Sequence, residues 1–118
     1  MAEQVEKSSH ITVKVGLSED KIPVKMEWMA DDDPADTGWT EIKAMMISLF
    51  DLDTKDTLRI DLWTKEMRVD EMDRFMFQTL RAMADTYHRA TQNTELANEM
   101  QHFVDYFGRK TGIISVEG

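Results

Sequence analysis

The chain contains no cysteine. Disulfide staples and thiolate chemistry are therefore excluded, and a reducing compartment fits. Long apolar runs are missing too. The longest, Ala44 to Ile47, is far too short to span a bilayer, so membrane insertion is not expected. No basic segment followed by an apolar one opens the sequence, which sets the expectation of a cytoplasmic protein. Positive charge is scarce: 14 Lys and Arg face 23 Asp and Glu, a net of -9. Phosphate backbones need clustered cations, so nucleic acid is not an expected partner, and an anionic membrane surface would repel this chain. No glycine-rich loop is present to cradle phosphate, and no serine sits in a nucleophile-elbow context. Enzymatic activity is accordingly not expected.

What is present suits one soluble packed domain over residues 1–118. The length allows a core without staples, and the apolar share of 42% is ordinary for a globular chain. Residues 1–8 are polar and patternless and are expected to be flexible. Ser9 to Leu17 then alternates strictly, with Ile11, Val13, Val15 and Leu17 on one face, as in a half-buried strand. A polar turn over Ser18 to Lys21 leads to a second alternating run, Ile22 to Ala30. Pro23 lacks an amide donor and belongs at that strand's start or on an edge. The pair reads as a hairpin. Residues 31–38, DDDPADTG, form an acidic loop.

Trp39 to Asp51 is ambiguous by composition, since Ala, Met and Leu favour helix. Alternation of Met45, Ile47 and Leu49 with Met46, Ser48 and Phe50 points instead to a strand from about Lys43 to Phe50. A polar turn over Asp53 to Asp56 precedes a fourth strand, Thr57 to Thr64. There Leu58, Ile60 and Leu62 face a core, while Arg59, Asp61 and Trp63 face away. After a joint at Lys65 to Val69, helical spacing takes over. Asp70 is the expected N-cap. Val69, Met72, Phe75, Met76, Leu80, Met83, Tyr87 and Ala90 form an apolar stripe with Phe77 off its centre. Thr91 to Asn93 breaks the helix, and Thr94 is the expected cap of a second. Leu96, Met100, Phe103, Val104 and Phe107 form that helix's stripe. Gly108 inside it costs about 1 kcal/mol of helix propensity. Gly112 is the expected left-handed cap, with Ile113 as the hydrophobic contact after it. Residues 113–118 are a tail. The predicted fold is α+β: a four-stranded antiparallel sheet with a C-terminal two-helix hairpin packed on one face, in the order ββββαα.

At this point the words themselves point to a family. The strings TLRIDLWTKEM, VDEMDRFMFQTL, MADTYHRAT and DYFGRKTGI, with KMEWMA and EIKAMMISLFD upstream, resemble in order the gliding-motility-associated protein GldC family of the Bacteroidetes. The likeness covers roughly Ile11 to Ile113. It implies an accessory role in surface gliding and, by association, with the neighbouring protein-secretion machinery. It implies no catalytic residue and no cofactor.

The candidate sites are few. Asp31, Asp32, Asp33 and Asp36 could offer clustered oxygens to Ca²⁺, against the simpler reading of a solvated loop. Asp51, Asp53 and Asp56 fit a turn better than a calcium loop, because Lys55 intrudes and the expected glycine is absent. His88, three residues after Asp85, could poise a base or share a metal; a capping or surface histidine is the plainer alternative. Tyr87, His88 and Tyr106 are the polar handles of an alternative small-molecule or metal-ion binding module. The leading expectation is an interaction surface. Alternation places Met29, Met46, Phe50 and Trp63 on the sheet face away from the helices, where an exposed apolar patch would take a protein partner or a second copy of the chain.

Overall fold

A computed structural model describes residues 3–33, 35 and 38–115. The chain divides into two compact units, Met1–Met67 and Arg68–Gly118, and each is described by itself. The class is α+β, strands first and helices after. Among the described residues no helix is long and apolar enough to cross a membrane.

Among the described residues the first unit holds five strands: β1 (Ile11–Leu17), β2 (Pro23–Ala30), β3 (Thr40–Ile42), β4 (Ala44–Phe50) and β5 (Thr57–Trp63). The expectation of one four-stranded sheet is corrected here. The strands form two antiparallel sheets, a three-stranded one in the order β1-β2-β3 and a two-stranded ribbon β4-β5. Lys43 alone separates β3 from β4, and there the chain changes partners: Ile42 pairs with Met26, whereas Ala44 pairs with Trp63. Alternation identifies extended residues and their faces, but it carries no mark of which neighbour each strand bonds. The three residues of β3 were also too few to show a period.

Local chemistry explains the rest of this unit. Pro23 opens β2, where its missing donor costs nothing. The β1–β2 turn closes with Ser18 N–H donating to Ile22 O at 2.9 Å and Lys21 at φ 61°. In the central strand, Met26 lies opposite Val15 on one side and Ile42 on the other. It is fully buried and anchors the unit's core. Thr64 N–H donates to Lys43 O at 2.8 Å, and Lys65 N–H to Pro23 O at 3.3 Å, tying the end of β5 to the kink and to the start of β2.

The second unit is a hairpin of two helices, α1 (Val69–Thr91) and α2 (Thr94–Lys110). The cap of α1 is Arg68, not Asp70: the Glu71 carboxylate accepts the Arg68 backbone N–H at 3.0 Å, one half of a capping box. Asp70 instead receives the Arg68 guanidinium at 2.9 and 3.0 Å. That hydrogen bond holds the Asp70 carboxyl below its ordinary range. The cap of α2 is Asn93, not Thr94, with its side-chain oxygen accepting Leu96 N–H at 3.1 Å. Between the helices, Gln92 takes a left-handed conformation at φ 60°.

The two helices meet along a seam narrower than either apolar stripe. Phe77 and Ala84 of α1 are buried, as are Ala97, Val104 and Gly108 of α2. Phe77, off-centre in the sequence reading, is thus the residue α1 buries most deeply beside Ala84, while Met83 is 49% exposed. At the C-terminal end Gly112 is left-handed as expected, with φ 80°. The apolar residue that folds back is Ile114 and not Ile113: its N–H donates to Gly108 O at 2.9 Å. A Cβ built on Gly108 would lie 2.6 Å from both Ile114 Cδ1 and Phe77 Cε1. Gly108 is therefore required by close packing, whatever it costs in helix propensity.

Candidate functional site

Asp31, Asp32 and Asp33 of the acidic loop are engaged locally. Asp31 accepts His10 N–H at 3.1 Å and lies 2.8 Å from His10 Nδ1. The His10 side chain is the main reason the Asp31 carboxyl sits below its ordinary range. Asp32 pairs with Lys7 at 3.2 Å, and Asp33 accepts Ala35 N–H at 2.9 Å. Asp36 lies outside the described residues. Among the described residues no three acidic or histidine side chains converge as a metal site would require.

Asp51, Asp53 and Asp56 form the β4–β5 turn. Asp51 Oδ1 accepts the backbone N–H of Asp53 at 2.9 Å and of Thr54 at 2.8 Å. These amides, Thr54's first, lower the Asp51 carboxyl below its ordinary range. Lys55 at φ 61° completes the reversal.

Asp85 and His88 do not meet as a pair. Asp85 accepts Arg89 Nε–H at 3.0 Å, and His88 Nε2 lies 3.1 Å from Thr94 Oγ1, bracing the start of α2. Tyr87 lines a shallow apolar groove of ≈ 720 Å³ along the outer side of α1, with Phe75, Thr79, Met83, Ala90 and Met100. His88 lines a different, polar cavity with Arg81, Asp85 and Gln101. Tyr106 is half-exposed beside Phe103, ring centroids 6.3 Å apart. The three proposed handles are thus not brought together.

Register decides the apolar patch. Residues directly opposite in an antiparallel ladder share a face. On one face of the β4–β5 ribbon lie Met46 opposite Asp61, Ala44 opposite Trp63 and Phe50 opposite Thr57. Phe50 is 69% and Trp63 55% exposed. Between these two aromatics Ser48 lies opposite Arg59. Arg59 donates to the Ser48 hydroxyl and, through Nη2, to Asp61 Oδ1 at 2.7 Å. That face therefore has apolar ends and a polar middle. Met29 is elsewhere. It belongs to the three-stranded sheet, opposite Thr12, on the face where Lys14 lies opposite Glu27 and Glu27 opposite Glu41.

The ribbon's other face is apolar throughout: Leu49 opposite Leu58, Ile47 opposite Ile60 and Met45 opposite Leu62. Leu49 and Leu58 are more than half exposed. Of these six, the alternation assigns Leu58, Ile60 and Leu62 to a core. Ile22 and Val24, at 40% and 42% exposure, add to the apolar surface. Ile22 and Pro23 share a small cavity of ≈ 240 Å³ with Leu62 and Trp63. Exposure at these positions has no signal in the sequence, because an apolar residue on a strand looks the same whether its face is covered or open.

No curated protein and no solved structure matches the chain. A family model does, the one described as "Gliding motility-associated protein GldC-like", over residues 23–113, which hold both sheets' pairing from β2 onward and both helices. The chain belongs to the GldC-like family, and gliding motility is the process that family is associated with.

Proposed function

We propose that this chain is a non-catalytic accessory protein of the cytoplasm that supports gliding, and with it the associated protein-secretion machinery, by docking a protein partner on its β4–β5 ribbon. The observation that carries the reading is the pair of exposed aromatics on one ribbon face, Phe50 at 69% and Trp63 at 55%. Large aromatic side chains dominate interface energetics, and a two-stranded ribbon is marginal in water unless another surface packs against it. The Arg59–Asp61 pair between the aromatics supplies a polar spot that fixes orientation. Met46 extends the patch; Met29, on the polar face of the other sheet, is not part of it.

The test is capture from the native cytoplasm, paired with a gliding assay. Trp63→Arg and Phe50→Arg should each lose the captured partner and impair gliding while the circular dichroism spectrum stays unchanged. Retained capture by both variants would remove the proposal. A second reading, small-molecule binding, rests on the apolar groove at Phe75, Met83 and Tyr87. A thermal-shift screen against metabolites and divalent cations separates the two; no shift in either set leaves this second reading without support.

A further inference from the structure

The hairpin has two unlike sides. Spaced at 100° per residue, Arg74, Gln78, Arg81 and Asp85 of α1 fall on one side, and Asn98, Gln101 and Asp105 of α2 join them there, where they line two polar cavities. The opposite side of α1 carries Met72, Met76, Met83 and Tyr87. The matching side of α2 carries Leu96, Met100, Phe103 and Phe107. Met83, Leu96 and Phe103 stand 49%, 47% and 54% exposed. No Asp, Glu, Lys or Arg interrupts this stripe. A helix pair buries its apolar side against something, and the narrow seam at Phe77, Ala84 and Val104 leaves that side open.

We propose that the occupant is a second copy of this chain, the two hairpins packing apolar side to apolar side as a twofold four-helix bundle. Three observations favour self-association over a foreign helix. The first is area. Val69, Met83, Leu96 and Phe103 by themselves offer roughly 450 Å² per chain, more than half of the ~800 Å² that a standard interface takes from each partner. The second is where the charge sits. Fifteen of the 23 acidic and eight of the 14 basic residues lie in 1–67, so the strand unit holds -7 of the net -9 and the helical unit only -2. Pairing through the helical units brings together the least charged parts of two like-charged chains. The third is the rim. Glu99 and Lys110 flank the stripe of α2 on one edge, and their midpoint falls between Val104 and Asp105. Antiparallel pairing of α2 about that level sets each Glu99 against the Lys110 of the second copy and each Phe103 at the level of its Tyr106, within one helical turn of the axis.

This inference does not depend on the ribbon docking a partner, and one set of measurements keeps the two apart. In sedimentation and light scattering at micromolar concentration the full chain should show twice its own mass. Phe103→Arg should return it to a monomer, a loss of at least roughly tenfold in affinity, with the helical spectrum kept because Phe103 is half-exposed. Trp63→Arg should leave the dimer intact. With no native cysteine, Phe103→Cys should form a covalent dimer with a short bis-maleimide cross-linker, and Arg74→Cys, on the polar side, should not. A wild-type monomer overturns the proposal. So does a dimer lost with Trp63→Arg and kept with Phe103→Arg, which puts the contact on the ribbon. A monomer that holds a different protein through Phe103 assigns the surface to that protein and equally sinks self-association.

Discussion

Phe77 and Gly108 are packed so closely across the helical hairpin that a single methyl on Gly108 would stand 2.6 Å from the Phe77 ring edge. Ile114 presses on the same spot from the folded-back C-terminal turn. Gly108→Ala therefore opposes two effects. Helix propensity gains about 1 kcal/mol, and overpacking loses about 1–3 kcal/mol because the atoms in the way are a ring and a branched side chain. The expected outcome is net destabilisation in urea unfolding. A more stable Gly108→Ala would mean that the turn at Ile114 yields without cost.

Met26 is the fully buried side chain of the central strand, flanked by Val15 and Ile42. Met26→Ala should cost about 2–5 kcal/mol, the range for emptying such a site. Met29→Ala, on the polar face of the same strand, should cost less than about 1 kcal/mol. Equal losses at the two positions would refute the register described for β2.

Gln92 holds a left-handed conformation between the helices, at φ 60° and ψ 18°, where a side chain is strained and glycine is not. Gln92→Gly should raise stability by about 0.5–1 kcal/mol, read as a higher unfolding midpoint with unchanged denaturant slope. The side chain's own hydrogen bond to Arg89 O, at 3.1 Å, is exposed and subtracts little. A lower midpoint would contradict this.

Acid should loosen the β4–β5 turn. The Asp51 carboxyl is depressed because its charged form accepts the Thr54 and Asp53 amides. A group whose folded pKa lies below its unfolded value stabilises the fold above the ordinary carboxylate value of 3.8, and that help is lost as pH falls through the lowered value. Protection of the Thr54 amide, relative to its intrinsic exchange rate, should therefore fall as Asp51 protonates, and Asp51→Ala should give the same loss of protection at neutral pH. Protection that stays unchanged below that range would show that the amides are held some other way.

His88 faces Thr94, and Asp85 is engaged with Arg89. His88→Ala should thus weaken the start of α2 slightly and leave any hydrolytic background in the preparation unchanged. An activity that vanishes with this substitution would reopen an enzymatic reading.

Much of this molecule is written in local pattern. Strict alternation located β1, β2, β4 and β5, and 3.6-residue spacing located both helices, because period and facing are properties of neighbouring residues. The ambiguous stretch from Lys43 proved extended, with Met46 and Phe50 on one ribbon face and Met45, Ile47 and Leu49 on the other. The caps were missed by small shifts, Arg68 for Asp70 and Asn93 for Thr94, since several adjacent polar residues compete for the same free amides. Of the four patch residues, three share a ribbon face and Met29 does not.

Composition and periodicity, then, settled from the chain alone that strands precede helices, which side of each element is apolar, and that thiol chemistry is absent. Partner choice came from the folded chain: β3 stayed with β2 while β4 turned to β5, and α1 met α2 through Phe77 and Ala84 instead of its methionine stripe. The reason is steric and non-local. A residue's own neighbours dictate its dihedral angles, but whether a Cβ fits at Gly108, or Leu58 finds cover, depends on atoms many positions away that no sequence interval records.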